Sequence, residues 1–106
     1  MIDIKDVPVK HLMSGIDGRY VHGESVTFGE VIISDGTVMP VHQHPHEQVT
    51  FILEGTLEME IGNEIFLLRP GMVHVIPSNT PHGAFAHGNC RVIDVFVPVR
   101  EEYKTQ

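Results

Sequence analysis

The sequence is poor in cysteine, in basic residues and in long apolar runs, and each shortage excludes a class of protein. The single cysteine, Cys90, cannot form an intramolecular disulfide. Lysine and arginine number 7 against 14 acidic residues, a formal charge of -7, which argues against binding to nucleic acid or to an acidic membrane. No stretch approaches ~18 apolar residues, and the first residues lack a basic, apolar leader, so we expect a cytoplasmic protein without a transmembrane helix.

The length and composition fit one compact domain. The chain has 106 residues, of which 42% are hydrophobic and 20% charged, both near the averages of globular proteins. We expect a barrel over residues 24–98, an N-terminal arm over residues 1–23 and a tail over residues 99–106. A domain of this size buries a limited core, so association with a second copy would stabilise it.

From Glu24 onward the chain predicts strands and turns, with no trustworthy window of helical periodicity. Residues 56–61 alternate polar and apolar side chains, the pattern of a half-buried strand, and Gly62-Asn63 turns that strand into a hairpin. Further strands are expected over residues 24–34, 37–44, 47–53, 64–68, 72–76, 80–86 and 90–97. The regular spacing of strands and turns predicts an all-β closed barrel or sandwich.

Histidine, the commonest metal ligand in proteins, is abundant, with 8 in the chain. His42 and His44 are one residue apart, so on a strand both side chains project from the same face and can converge on one ion. If the pleat resumes after Pro45, Gln48 returns to that face with an amide oxygen, and His82 arrives from a later strand. Three imidazoles and one oxygen leave open positions on an octahedral ion, which is typical of a catalytic site.

Asp94 lies among apolar residues in the last long strand. If strand alternation turns Asp94 and Phe96 inward, the carboxylate needs a partner or a raised pKa, as groups that transfer protons do. The other possibility is that Asp94 points outward and pairs with Arg91 or with water.

The remaining histidines and the cysteine give no clear indication of a functional site. His46, His74 and His87 are expected at the surface or in packing, and His11 and His22 are ambiguous. Cys90 is expected to be a small buried hydrophobe, because no basic neighbour stands out to lower the pKa of its thiol.

Nearly the whole chain resembles the cupin superfamily, through two motifs. The first, Gly, five residues, His-x-His, three residues, Glu, six residues and Gly, falls on Gly36, His42, His44, Gln48 and Gly55. The second, Gly, five residues, Pro-x-Gly-x-x-His, three residues and Asn, falls on Gly71, Pro77, Asn79, His82 and Ala86. The departures are a Gln for the Glu, an Asn for the second Gly and an Ala for the last Asn; asparagine tolerates the left-handed turn that glycine favours.

The resemblance implies an all-β, single-domain cupin barrel, a double-stranded β-helix or jelly roll, with one divalent ion on His42, His44, Gln48 and His82. Histidine and amide ligands accept Mn, Fe, Ni, Co and Zn. Because Gln48 is neutral, the ion's charge stays uncompensated, which favours an anionic substrate.

Residues 44–48 and 94–103 resemble the small cupins of pectin and alginate breakdown, which convert 4,5-unsaturated monouronates into open-chain ketouronates. In that family an Asp, a Phe and an Arg at the spacing of Asp94, Phe96 and Arg100 act beside a metal site of three His and one Gln. The resemblance implies that Arg100 clamps the uronate carboxylate, Phe96 packs on the sugar face and Asp94 moves protons during ring opening. We therefore expect a metal-dependent enzyme of the isomerase or lyase type that acts on a small anionic sugar derivative.

Two alternatives stay open. Other cupins with three His and one Gln, including hydroxynitrile lyases and dioxygenases, would use the metal differently, and Asp94 and Arg100 would then be dispensable. A non-catalytic cupin that binds a sugar or a metal is the other. Small cupins commonly pair by exchanging N-terminal strands, so the resemblance also implies a homodimer, with residues 2–13 as the exchanged strand.

Overall fold

The computed structural model describes residues 1–104, most of which lie in strands. A 3₁₀ turn, Ile4–Asp6, precedes the strands, and another, Glu101–Tyr103, follows them. The strands are β1 (Lys10–Met13), β2 (Ile16–His22), β3 (Thr27–Ile33), β4 (Val38–His42), β5 (Glu47–Ile61), β6 (Glu64–Leu68), β7 (Val73–Ile76) and β8 (His82–Val97). The predicted all-β class is confirmed. Within residues 1–104 no helix is long and apolar enough to cross a membrane.

The two longest strands, β5 and β8, form the central ladder of an antiparallel sheet of order β1-β2-β3-β8-β5-β6, with β4 on β8 and β7 on β5. The ladder runs from the pair Glu47 and Val97 to the pair Ile61 and His82. We call residues 47–52 with 92–97 the Gln48 half; it is flanked by β3 and β7. Residues 57–61 with 82–86 form the Leu57 half, which is flanked by β4 and β6.

The prediction of separate strands over 47–53 and 56–61, and over 80–86 and 90–97, was wrong, because each pair is one bent strand. Register shifts between Ile52 and Thr56 bend β5. Gly55 has φ +81° there, and a Cβ on it would overlap the backbone oxygen of Asn89 and the Cys90 sulfur, so only glycine fits. The bend also changes which positions face inward in β5: they are Gln48, Thr50 and Ile52 before it, and Leu57, Met59 and Ile61 after it.

The N-terminal segment, expected as an arm, contributes β1 and β2 to the same sheet. The β2 strand pairs with β3 along its whole length and buries Ile16 and Tyr20 in the core. These strands complete the sheet of their own chain, and their exchange between two copies stays a prediction. The expected tail also contacts the barrel, since Arg100 is buried and Tyr103 packs against the core; residues 105 and 106 lie outside the described residues.

Candidate metal centre and active site

The four predicted metal-binding residues lie together. His42 is the last residue of β4 and pairs with His82, the first residue of β8, while His44 lies in the next loop and Gln48 is the second residue of β5. The imidazole centres of His42 and His82 are 4.4 Å apart, and those of His44 and His82 are 4.9 Å apart. One ligand nitrogen from each of the three rings lies within 4.8 Å of the others.

Two loops, residues 43–46 and 77–81, adjoin these residues, and hydrogen bonds tie the loops to each other. The backbone N–H of Asn79 donates to the His44 carbonyl at 2.8 Å, and the Ser78 hydroxyl donates to the Pro45 carbonyl at 2.5 Å. Asn79 has φ 57°, the left-handed turn predicted for it. The turn therefore brings the segment before His82 against the loop of His44.

The three imidazoles are oriented by backbone carbonyls. In each ring Nδ1 lies 2.8–3.0 Å from a carbonyl oxygen two residues away: His42 on Pro40, His44 on His46 and His82 on Thr80. Because a carbonyl oxygen only accepts, Nδ1 carries the proton and Nε2 keeps its lone pair. This is the tautomer that a metal ligand of the Nε2 type requires.

Two further contacts fit a cation in this cluster. Gln48 Oε1 lies 3.1 Å from His44 Nε2, and the Gln48 amide nitrogen is committed to Thr50 Oγ1 at 2.9 Å and to Asp94 Oδ1 at 3.3 Å. Two acceptors therefore face each other, which is unfavourable unless a cation binds both. His82 Nε2 is buried without a hydrogen-bond partner among the described residues. The residues present thus fit a divalent metal ion.

The electrostatics of the cluster also suit metal binding. Burial lowers the pKa of His44, and the nearby Arg100 guanidinium lowers it further. Burial likewise lowers the pKa of His82. Both rings are therefore neutral near pH 7, as ligands must be. His42, by contrast, is exposed, which leaves that side of the cluster open to solvent.

Asp94 faces inward from β8, directly opposite Thr50 on β5. The Thr50 hydroxyl donates to Asp94 Oδ1 at 2.7 Å, beside the weaker bond from Gln48. Burial raises the pKa of Asp94 to about 6, although these hydrogen bonds and the charge of Arg100 act in the opposite direction. The inward orientation was one of the two predicted possibilities.

The other possibility, an outward Asp94 paired with Arg91, was wrong. Arg91 lies on the other face of β8, where Nη1 is 3.0 Å from Glu30 and Nη2 is 3.8 Å from Glu54. Strand alternation separates Asp94 from Arg91, because the two positions are three residues apart.

Phe96 and Arg100 complete the predicted set. Phe96 is 3% exposed and pairs with Gln48 in the ladder. The Arg100 guanidinium carbon lies 4.7 Å from the centre of the Phe96 ring and 4.2 Å from that of Tyr103. The structure thus brings all seven predicted residues to one region, and their catalytic and metal-binding roles stay predictions.

The site contains two adjoining cavities. The inner one, of about 50 Å³, is lined by residues of both ladder halves, among them His42, Gln48, His82, Asp94, Phe96 and Arg100. The outer one, of about 400 Å³, is mainly apolar and shares Leu12, Ile16, Met39, His42 and Tyr103 with it. A ligand in the outer cavity would therefore touch His42 and reach toward the inner one.

Sequence reasoning missed Thr50 and the two tyrosines that line the inner cavity, Tyr20 and Tyr103. The signal for Thr50 was present, since it lies two residues after Gln48 on the same face of a strand. The tyrosines gave no comparable signal, because they come from β2 and from the C-terminal 3₁₀ turn, and only the tertiary fold brings them to the cavity.

The other histidines are at the surface or in packing, as predicted for three of them. His46 is 8% exposed and packs against Phe96, with ring centres 6.4 Å apart. The remaining contacts are His11 with Asp17, His22 with Thr27, His74 with the Phe66 ring and His87 with Glu58. Cys90 is buried, as predicted, and burial raises the pKa of its thiol.

Comparisons with known proteins agree with this fold. Residues 29–96 match a family model described as the cupin domain. KdgF from a Halomonas species has a TM-score of 0.87 and 30% identity, over 93% of each chain. An RmlC-like cupin from Shewanella frigidimarina has a TM-score of 0.88 and 23% identity, over 93% of this chain and 90% of that one. The L-ectoine synthase of Wolinella succinogenes is 31% identical over 88 residues, 78% of this chain and 67% of that protein.

Proposed function

This chain belongs to the cupin family, and we propose that it is a metal-dependent enzyme that opens the ring of a 4,5-unsaturated monouronate to give the open-chain ketouronate. The observation that carries the proposal is a single cavity lined by the candidate ligands His42, Gln48 and His82 together with Asp94 and Arg100. That set combines a metal site, a proton-transfer group and a fixed cation, which an anionic hydroxylated substrate requires. The sequence resemblance to uronate-linearising cupins and the likeness to KdgF support it.

The proposed ion, one of Mn, Fe, Ni, Co and Zn, would be held by His42, His44, Gln48 and His82. When bound, such an ion polarises a substrate oxygen as a Lewis acid. The carbonyls that accept from the three Nδ1 atoms keep the ligand nitrogens aimed into the cluster. All four ligands are neutral, so the site attracts an anion.

Arg100 would bind the uronate carboxylate. Its side chain is 10% exposed, so little water competes with a charge-assisted hydrogen bond from the guanidinium. The Phe96 and Tyr103 rings contact that guanidinium, whose carbon lies 4.7 and 4.2 Å from their centres, and limit its movement. The carboxylate end of the substrate is thereby fixed relative to the candidate ligands.

The volumes of the two cavities suggest how the sugar would be placed. The inner cavity, of about 50 Å³, is the size of one or two water molecules, whereas the outer one, of about 400 Å³, is in the range of small-molecule sites. The substrate would therefore span both cavities, with its carboxylate and its reacting atoms toward Arg100 and Asp94 in the inner one and the rest of the ring beside His42 in the outer one.

Asp94 would move the proton that ring opening requires. The anomeric hydroxyl loses a proton, the bond between C1 and the ring oxygen breaks, and the resulting enol at C5 becomes a ketone when C4 gains a proton. The reaction is an isomerisation, so one carboxylate that accepts and returns a proton balances it. The bonds from Thr50 and Gln48 end on Oδ1 of Asp94, and we assign the transfer to Oδ2.

The proposal is tested by incubating metal-loaded protein with a 4,5-unsaturated monouronate and following the loss of the enol-ether absorbance. We expect decay well above the spontaneous rate, abolished by a chelator and restored by metal. The Arg100→Lys variant, which keeps the charge but not the planar guanidinium, should raise KM. Decay at the spontaneous rate with metal-loaded protein would refute the proposed reaction.

The likeness to L-ectoine synthase favours a second candidate, formation of ectoine. The same metal-loaded protein should be assayed for ectoine by chromatography. Ectoine formation without uronate conversion would favour this candidate over the first.

A further inference from the structure

The Arg100 guanidinium is bounded by two aromatic rings. Its carbon lies 4.7 Å from the centre of the Phe96 ring and 4.2 Å from that of Tyr103, two rings inclined at 83° to each other, and the backbone N–H of Arg100 donates to the buried Thr27 hydroxyl at 2.8 Å. Tyr103 packs in turn on Tyr20, with ring centres 4.6 Å apart. The two rings contact the guanidinium from directions roughly at right angles and so limit its movement.

The Tyr20 ring, which packs against Tyr103, itself depends on two glycines. The Tyr20 ring lies over Gly18 in its own strand and over Gly29, its partner in β3. A Cβ on either glycine would lie 2.5–2.7 Å from ring atoms, so the ring needs two glycines beneath it. The aromatic stack is therefore set by side chains from β2, β8 and the C-terminal turn.

Glu102 adds a polar contact on one edge of the guanidinium. Its Oε2 accepts a hydrogen bond from Arg100 Nε at 3.0 Å and forms an ion pair with Nη2 at 2.9 Å, the other nitrogen on that edge. The Glu102 side chain is 53% exposed and that of Arg100 only 10%, so the carboxylate approaches from the solvent side. Within residues 1–104, Nη1 makes no hydrogen bond or ion pair, and Arg100 lines the inner cavity.

We propose that Glu102 is a positioning residue for substrate binding: by occupying the Nε–Nη2 edge of Arg100, it turns the Nη1–Nη2 edge toward the cavity to receive the substrate carboxylate. The inference rests on the proposed role of Arg100 and adds a specificity device to it. A planar guanidinium can bind one carboxylate on each edge, with two different sets of donors.

Two opposing effects decide the direction of a Glu102 substitution. Two carboxylates roughly 6–7 Å apart repel each other by about two- to threefold in affinity at the dielectric of water. Ordering one long side chain on binding weakens affinity by about fivefold. The first effect is screened because Glu102 is half exposed, so the loss of order dominates.

The test compares Glu102→Gln with the matched control Glu101→Gln, which removes the same charge one residue away, from an exposed carboxylate that pairs with Lys104 at 3.3 Å. Wild type and both variants are assayed with the unsaturated uronate, and ¹⁵N spectra of the arginine Nε–H groups are recorded. The Arg100 signal among the four arginines is assigned by its loss in Arg100→Lys.

For Glu102→Gln we expect KM to rise about two- to threefold, the net of the two effects, with kcat within about twofold, and the Arg100 Nε–H signal to exchange faster with water. Glu101→Gln should leave both readouts at the wild-type values. An unchanged KM and signal in Glu102→Gln, or a lower KM, would overturn the positioning role. If the wild type does not convert the uronate, the proposed reaction is refuted. The role of Glu102 is then still tested by the exchange of the Arg100 Nε–H signal with water and by the affinity for glucuronate, measured from the change in the Arg100 signal on titration.

Discussion

The two halves of the β5–β8 ladder line the same cavity but bury different chemistry. The Gln48 half turns an amide, a hydroxyl and a carboxylate inward and links them by hydrogen bonds of 2.7–3.3 Å. The Leu57 half turns apolar side chains inward, with His82 at its end as the exception. Buried polar groups stabilise little even when paired, whereas buried apolar groups stabilise strongly. The Gln48 half therefore carries most of the candidate chemistry, whereas the inward side chains of the Leu57 half contribute mainly to stability.

The largest effect on metal binding is expected at His82, the polar exception in the Leu57 half. His82→Ala removes a proposed ligand from the otherwise apolar half, and metal affinity should fall by more than about a hundredfold, the loss that follows removal of groups that merely orient a ligand. The control is His87→Ala on the same strand, whose exposed ring pairs with Glu58. Metal content after dialysis measures both; equal metal content in the two variants would contradict the assignment of His82.

In the Gln48 half, Asp94→Asn should lower kcat by about 10²–10⁴-fold, the usual contribution of a general acid or base. The control is Asp17→Asn, which changes an exposed carboxylate that pairs with His11. Steady-state rates on the unsaturated uronate distinguish the two. A wild-type rate in Asp94→Asn would favour the cupin reactions in which Asp94 is dispensable.

On the Leu57 side, Leu68→Ala should lower stability without lowering kcat of the folded protein. Leu68 is 3% exposed and pairs with Leu57, so its truncation leaves a cavity that costs about 2–5 kcal/mol. Urea unfolding and the rate per folded molecule measure the two quantities. A loss of kcat in folded Leu68→Ala would show that the division between the halves is not sharp.

At Thr50 we expect a smaller stability change than at Leu68, together with a loss of kcat. Thr50→Val leaves the Gln48 amide and Asp94 each without one partner, so unfolding free energy should fall by about 1–3 kcal/mol and kcat should fall as well. Ile52→Val, two residues on and also inward, should cost about 1 kcal/mol and leave kcat unchanged. Identical kcat in both variants would remove Thr50 from the site.

The candidate metal site was largely predictable from the sequence. The spacing of His42, His44 and Gln48 predicted that they converge, although the predicted strand over residues 37–44 was too long: β4 ends at His42, and His44 reaches the cluster from the following loop. The partner of Asp94 was not predictable, because it is set by the register of Thr50, 44 residues earlier in the chain. Local sequence shows which face a residue occupies but not what lies across the sheet.

The bend in β5 was predicted wrongly as a turn between two strands, again because the deciding contact comes from another strand. A glycine with positive φ is needed both at a chain reversal and at a bulge, so Gly55 fits either reading in the sequence. What decides between them is the close approach of Asn89 and Cys90 from β8. Likewise, β2 was not predicted as a strand, because Gly18 occupies one of its inward positions; pairing with β3 makes β2 part of the sheet.

The bend at Gly55 also limits which changes in chain length the fold can accept. Inward positions are even before it and odd after it, so losing one residue there would turn Leu57, Met59 and Ile61 to solvent and place their polar neighbours in the core. In a library of single-residue deletions and insertions, the segment 53–56 should be among the least tolerant of the chain. Variants that survive there should carry a compensating change of opposite sign in the same segment.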